Sequence, residues 1–307
     1  MTKPLHLALV GPTASGKSAV ALEVARTLPG PPVEIVTADS MQVYRGMDIG
    51  TAKPTAVERA DVPHHLLDVT EPADDFSVAR YQRAADEVLD DVEARGRRAL
   101  LVGGTGLYVQ AVVDRLDVPG RWPEVRADVE REPDTVALWR RLQQADPVAA
   151  ERIVPTNRRR VVRALEVTLG SGTPFSSFGP GIQAFPPSER FRLAGVWLPR
   201  AAGVERIRTR LTQMLDAGLL DEVRALARNP MSRTARQALG YRELLGHLAG
   251  DCTLDEAIDT TVRRTIAFAR RQRVWFRRDP RITWYGTDGN PLAVVPALLR
   301  DWSVECS

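Results

Sequence analysis

Eight consecutive residues, Gly11-Pro12-Thr13-Ala14-Ser15-Gly16-Lys17-Ser18, carry the spacing G-x-x-x-x-G-K-[ST] of a phosphate-binding loop. Glycines let such a loop turn its backbone N–H groups onto phosphate oxygens, and a helix starting at its end adds a favourable dipole. Lys17 would supply a point charge, and the Ser18 hydroxyl is placed to hold Mg²⁺. The chain has only three lysines, Lys3, Lys17 and Lys53, and one stands here. A phosphate loop does not name a reaction, because kinases, GTPases and ATPases share it. None of the three lysines offers the Asn-Lys-x-Asp signal of a guanine reader. The apolar run 100–102, where an ATPase would end a strand in an acid, continues into Gly103-Gly104-Thr105-Gly106. Glycines there imply the close approach of something bulky.

A second apolar run, 33–38, leads into Asp39-Ser40-Met41-Gln42-Val43-Tyr44. A strand would deliver these residues to the carboxyl edge of a sheet, where α/β proteins bind ligands. Asp39 would then face the phosphate loop, and it is also readable as a helix cap or an outer ligand of Mg²⁺. Gln42 and Tyr44 are an amide and an aromatic of the kind that reads or stacks on a base. Arg158, Arg159, Arg160 and Arg163 form one basic cluster, and eight arginines between Arg263 and Arg281 face a single acid, Asp279. The formal net charge is only +3, and such a balance can conceal a polyanion-binding face. Arginine is abundant throughout, so each cluster is also readable as a solvated face. His64 and His65, adjacent in a strand, would point to opposite faces with no third ligand nearby, which assigns them to structure. Cys252 and Cys306 show no Cys-x-x-Cys spacing, so neither zinc nor a disulfide framework is indicated. Trp275 and Phe276 stand at helical spacing and are open to either a core or a stacking reading.

These residues need a scaffold, and 307 residues with 44% hydrophobic and 26% charged content suffice for a substantial core. The pattern reads as strand 5–10, helix 17–28, strand 33–38, helix 77–95 and strand 98–102, an alternation that implies a parallel sheet with helices on both faces. The Pro- and Gly-bearing stretch 117–123 breaks that rhythm, and the charged, helical stretch after it runs to 169 as an inserted unit. Residues 170–187 read as a loop, 192–198 as a strand, 204–228, 241–248 and 254–278 as helices, and 282–285 as a last short strand. The expected division is a core of 1–118 with 190–307 and a mainly helical insertion of 119–189. No apolar run reaches about 18 residues, so no membrane span is expected.

Further motifs carry a resemblance. Asp48-Ile-Gly-Thr-Ala-Lys-Pro54, His64-His-Leu-Leu-Asp68, Gly103-Gly-Thr-Gly-Leu-Tyr108 and Gln237-Ala-Leu-Gly-Tyr-Arg242, together with 11–18 and 39–44, occur in the order found in tRNA dimethylallyltransferases. The resemblance spans nearly the whole chain. It implies an α/β fold with a P-loop NTPase-like parallel sheet flanked by helices, carrying a helical insertion domain that contacts tRNA. It also implies that Gly11 to Ser18 hold the diphosphate of dimethylallyl diphosphate, helped by Arg206 and Arg210, with Mg²⁺ on Ser18. Asp39, Lys17 and Thr13 would be catalytic. Asp39 would accept the proton of N6 of adenosine 37 as that nitrogen takes the prenyl group, the adenine having flipped out of the anticodon loop. Contacts to tRNA would come from Asp39, Ser40, Met41, Gln42, Thr105 and Arg126. Further contacts would come from Asn157, Arg158, Arg159, Arg160 and Val161, and from Gln237, Gly240, Tyr241 and Arg242. A cytoplasmic monomer is expected. The competing readings are a P-loop phosphotransferase and a nucleotide-dependent RNA-binding protein without transfer chemistry.

Overall fold

The computed structural model describes residues 6–179, 182 and 184–303. Lys3, Leu5 and Cys306 lie outside the described residues, as do positions 180, 181 and 183 of the expected loop. The chain divides into two units, Met1–Val113 with Pro187–Ser307, and Asp114–Pro186.

In the first unit six strands form one parallel sheet: β1 (His6–Val10), β2 (Val33–Thr37), β3 (His64–His65), β4 (Arg98–Gly103), β5 (Phe191–Trp197) and β6 (Thr283–Gly286), in the order β3-β2-β4-β1-β5-β6. β1, β2 and β4 are buried at every position, as strands covered on both faces must be. Their alternating side chains feed two cores. Ala8 and Val10 join Tyr81, Leu89 and Tyr108 on one face, while Leu7 and Leu9 join Val20, Val24 and Leu298 on the other. Val10 pairs with Gly103 and with Gly195, and Thr37 pairs with Val102. The ends of β1, β2 and β4 therefore open at one edge of the sheet, which brings residues 11–18, 39–44 and 103–106 together.

The helices of this unit are α1 (Lys17–Thr27), α2 (Ala56–Asp61), α3 (Val78–Ala94) and α4 (Gly106–Val113) before the insertion. After the insertion's own four helices come α9 (Arg200–Asp216), α10 (Leu219–Leu226), α11 (Arg233–Arg236), α12 (Tyr241–Leu248), α13 (Leu254–Phe276) and α14 (Val295–Ser303). The single helix expected over 204–228 is two, broken at Gly218, whose φ of 97° belongs to the left-handed region and ends α-helical geometry. On the sheet face Tyr81 stacks on Tyr108 with ring centroids 4.1 Å apart and donates its hydroxyl to the Thr37 carbonyl at 3.0 Å. Trp275 packs against this core and Phe276 lies within it, which settles both as core residues.

The second unit is a helical cluster of α5 (Pro123–Glu130), α6 (Thr135–Ala145), α7 (Pro147–Arg152) and α8 (Arg158–Ser171). Its boundaries fall at 113/114 and 186/187. Val129, Leu138, Leu142, Ile153, Val161 and Leu165 make its core. Asp134, Asp146 and Asn157 cap its helices with their side chains.

Candidate active site

Residues 11–18 form a loop between β1 and α1. Gly16 precedes α1 with φ 83°, and a Cβ there would come within 2.3 Å of the Pro291 ring, so only glycine suits the position. The loop is tied from outside by two distant side chains. Arg206 Nε donates to the Ala14 carbonyl at 3.0 Å, and the Thr13 N–H donates to Gln272 Oε1 at 2.8 Å. Ser15 is buried and its hydroxyl has no hydrogen-bond partner. An orphaned buried hydroxyl inside a phosphate loop fits an anion that would accept from it.

The charges around the loop are unbalanced. Burial, partly opposed by Asp39 and aided by the neighbouring Arg210, pushes the Lys17 ammonium down to about 8. Burial and the neighbouring Arg206 likewise push the Arg210 guanidinium down, again opposed by Asp39. Three cations crowded around one carboxylate, Arg210 depressing Lys17 and Arg206 depressing Arg210, form a site suited to a multivalent anion. Arg206 and Arg210 lie i, i+4 on α9, as their spacing predicted. Ser18 is exposed in the first turn of α1.

Asp39 stands just past β2, with Oδ1 accepting from the Met41 N–H at 2.9 Å. The next residue is held by the glycine turn: Ser40 N–H donates to Thr105 Oγ1 at 3.1 Å. The close approach expected at those glycines is made by the protein itself. A Cβ would meet the Ala38 carbonyl at 2.0 Å from Gly103, the Gln272 amide at 2.3 Å from Gly104, and the Trp275 ring at 2.3 Å from Gly106.

Beside Asp39, Gln42 Nε2 donates to the carbonyls of Thr51 and Ala52 at 2.9 and 3.1 Å, so the loop 48–54 orients it. Glu222 in turn organises that loop. Its carboxylate accepts from the N–H groups of Asp48, Ile49 and Gly50 and from the Tyr241 hydroxyl at 2.6 Å. Lys53 donates to Asp48, Asp68 and the Tyr44 carbonyl with its ammonium almost wholly buried. Two expectations change here. Tyr241 and Tyr44 are fully buried, so neither offers a surface to tRNA or a base; each packs beneath the loop instead. Gly240 is buried too, with its N–H donating to Glu243 at 2.9 Å, whereas Gln237 and Arg242 are exposed. Sequence reasoning passed over Glu222 and Gln272, since a lone glutamate on a charged helix and a glutamine among arginines carry no local signal.

Within the insertion, Arg126 pairs with Glu130 at 2.7 Å and with the buried Glu166 at 3.3 Å. Val161 is fully buried in the insertion core, so it offers no surface to tRNA. The Asn157 side chain caps α8, and the Arg158 guanidinium donates to the carbonyls of Glu130, Glu132 and Pro133. Arg159 and Arg160 are exposed. The histidines serve structure: His65 Nε2 meets Glu34 at 2.7 Å and His64 Nδ1 meets the Val62 carbonyl. No group of three or more His, Cys, Asp or Glu residues that could hold a metal ion occurs among the described residues, and Cys252 is a free thiol. No described helix is long and apolar enough to cross a membrane.

The family model described as IPP transferase matches residues 42–279. The tRNA dimethylallyltransferase of Thermobifida fusca is 51% identical over 293 residues, covering 93% of this chain and 91% of that protein. The protein of the same name from Streptomyces coelicolor is 51% identical over 286 residues, 92% of this chain and 90% of that one. Among solved structures, the tRNA isopentenylpyrophosphate transferase of Bacillus halodurans superposes with a TM-score of 0.71 at 38% identity, covering 98% of this chain and 95% of that chain.

Proposed function

The chain belongs to the IPP transferase family and transfers a prenyl group to a tRNA adenosine, and on that premise we propose the finer reaction. The donor is dimethylallyl diphosphate, the acceptor is N6 of adenosine 37 beside the anticodon, and the products are diphosphate and N6-(dimethylallyl)adenosine. The observation that carries this reading is the cluster of Lys17, Arg206 and Arg210 around a phosphate loop whose Ser15 hydroxyl is unpartnered.

As the allylic C–O bond breaks, its electron pair leaves with the diphosphate. The amides of the loop, Lys17 and Arg210 are placed to meet that charge, an arrangement that stabilises the departing group more than the bound substrate. The N6 lone pair forms the new C–N bond, and the amine becomes acidic only as it does so. Asp39, at the mouth of the loop, accepts the proton at that stage, held in orientation by the Met41 N–H. Mg²⁺ suits the hydroxyl of Ser18 and would neutralise charge on the diphosphate. The rest of its coordination would come from the ligand and water, because no acidic cage stands among the described residues.

For the tRNA, the exposed arginines of α13 supply a track. Arg263 and Arg270 stand i, i+7 on the side of the helix opposite Gln272, and the exposed Arg271 flanks them. Arg159 and Arg160 of the insertion are the further phosphate contacts, and Gln42, on the segment after Asp39, and Thr105, bonded to Ser40, are the groups offered to the base.

Thermal unfolding tests the donor. Dimethylallyl diphosphate with Mg²⁺ is expected to raise Tm more than ATP at equal concentration, its stabilisation of the folded protein reaching about 2.7 kcal/mol at a hundred times Kd. Equal protection by ATP, with hydrolysis, would support a phosphotransferase instead.

A further inference from the structure

Gln272 is 6% exposed and lies on α13, 168 residues beyond the glycine turn and 259 beyond the phosphate loop, yet its amide bonds to both. Oε1 accepts the Thr13 N–H at 2.8 Å, and Nε2 donates to the Gly104 carbonyl, also at 2.8 Å. One planar group thus fixes the separation of two backbone segments. The first is the proposed cradle of the leaving diphosphate. The second leads through Thr105, whose hydroxyl accepts the Ser40 N–H, to the residue after Asp39. The chain of contacts runs Thr13, Gln272, Gly104, Thr105, Ser40, with no carboxylate, arginine or lysine in it.

Gly104 reinforces the point. A Cβ there would fall 2.3 Å from Gln272 Nε2, and an amide anchored at both ends in a buried setting has nowhere to withdraw. The glycine expected to admit a bulky ligand admits this side chain.

We propose that Gln272 is a positioning residue that sets the distance between the diphosphate cradle and the Asp39 side of the site. The inference rests on the transferase reading above, and concerns the alignment of donor and acceptor once both are bound. Misplacement of reacting groups by even an ångström lowers the rate of transfer without a matching loss of affinity. Removing Gln272 therefore acts on the rate with both substrates bound, and a purely structural glutamine would not.

The test measures single-turnover transfer at saturating dimethylallyl diphosphate and tRNA, alongside the Kd of each, for Gln272→Met and Gln272→Glu. Met keeps the volume and removes both hydrogen bonds. Glu keeps the acceptor for Thr13 and sets an oxygen against the Gly104 carbonyl. The expected result is a single-turnover rate at least tenfold lower in both, with each Kd within threefold of wild type. Gly104→Ala serves where a Gln272 variant does not fold; it should slow transfer similarly, and in a Gln272→Ala background add less than twofold, since both act on one contact. Unchanged single-turnover rates, a loss confined to donor affinity, or full multiplicativity of the Gly104 and Gln272 effects would overturn the proposal. Failure of the wild-type protein to transfer at all would instead overturn the transferase reading, which keeps the two apart.

Discussion

Arg206 Nε donates to the carbonyl of Ala14 at 3.0 Å, joining α9 to the phosphate loop across 192 residues of sequence. The bond uses one edge of the guanidinium on the protein's own backbone. Arg210, one turn further on, has burial and the Arg206 charge acting against its protonated form, and only Asp39 acting for it. The two arginines are thus unequal: Arg206 shapes the loop, and the proposed diphosphate contact falls to Arg210.

Arg210→Ala should therefore weaken dimethylallyl diphosphate binding by tenfold or more while leaving the melting temperature of the free protein unchanged or raised, because it removes a crowded cation. Arg206→Ala should lower that melting temperature, at a stability loss of about 1 kcal/mol, through loss of the loop contact. Titration calorimetry and thermal melts of both variants separate the roles. Equal effects on binding with no change in either melt would contradict the distinction.

Asp39→Asn should retain donor binding within a few-fold and lower single-turnover transfer by about 10²- to 10⁴-fold, the range for a lost general base. Its hydrogen bond from Met41 survives in the amide. A rate within a few-fold of wild type would remove Asp39 from the proton path, and a matching loss of Mg²⁺-dependent donor affinity would make it an outer metal ligand.

Lys17 sets a pH dependence. Its value of about 8 in the free protein lies below the ordinary 10.5, so between these values the unfolded chain binds the proton that the folded one lacks. The Lys17 contribution to stability of the free protein therefore rises with pH across this window. A bound diphosphate favours the charged ammonium, so binding near pH 8 to 9 should take up a fraction of a proton, and affinity should fall up to tenfold per unit above about pH 8. Calorimetry in two buffers of different ionisation enthalpy reads the uptake directly, and Lys17→Met should abolish it.

Much of this site was legible because it is local. The spacing of residues 11–18, the acid after β2 and the glycines after β4 each report a backbone demand within a few residues, and the parallel sheet brings all three to one edge. Contacts that join distant segments were not legible. Nothing near Glu222 announces that it gathers three N–H groups of the loop 48–50, and nothing near Gln272 announces the loop it holds. Burial was misread where a motif mixes roles: Tyr241 shares Gln237-Ala-Leu-Gly-Tyr-Arg242 with exposed neighbours yet is itself core, and Val161 stands beside exposed arginines in the same way. Gly218 was overlooked within an apolar periodicity that continues on both sides of the break.

The basic residues of the insertion divide by their contacts. Arg159→Ala and Arg160→Ala should each lower the slope of log K for tRNA against log salt by up to about one unit, as for one phosphate apiece. Arg158→Ala, whose guanidinium is spent on three backbone carbonyls, should instead destabilise the insertion by about 1 kcal/mol. Binding curves across a salt series, with thermal melts, check both; identical slopes for all three variants would return the cluster to a solvated surface.

Glu222→Ala should leave three loop N–H groups and the Tyr241 hydroxyl without their acceptor, at a stability loss of about 2 to 3 kcal/mol. Because Gln42 hangs on the same loop, tRNA affinity should fall while dimethylallyl diphosphate affinity holds. Urea melts and parallel binding measurements read the two effects, and a parallel fall in donor affinity would contradict the assignment of this loop to the tRNA side.

The measurement closest to the central claim is incubation of the protein with tRNA, Mg²⁺ and dimethylallyl diphosphate labelled in the prenyl group, followed by digestion and separation of nucleosides. The account predicts label in N6-(dimethylallyl)adenosine derived from position 37, with one diphosphate released per group transferred. Unlabelled tRNA, in the presence of protein that hydrolyses ATP or passes its phosphate to a hydroxyl, would contradict it.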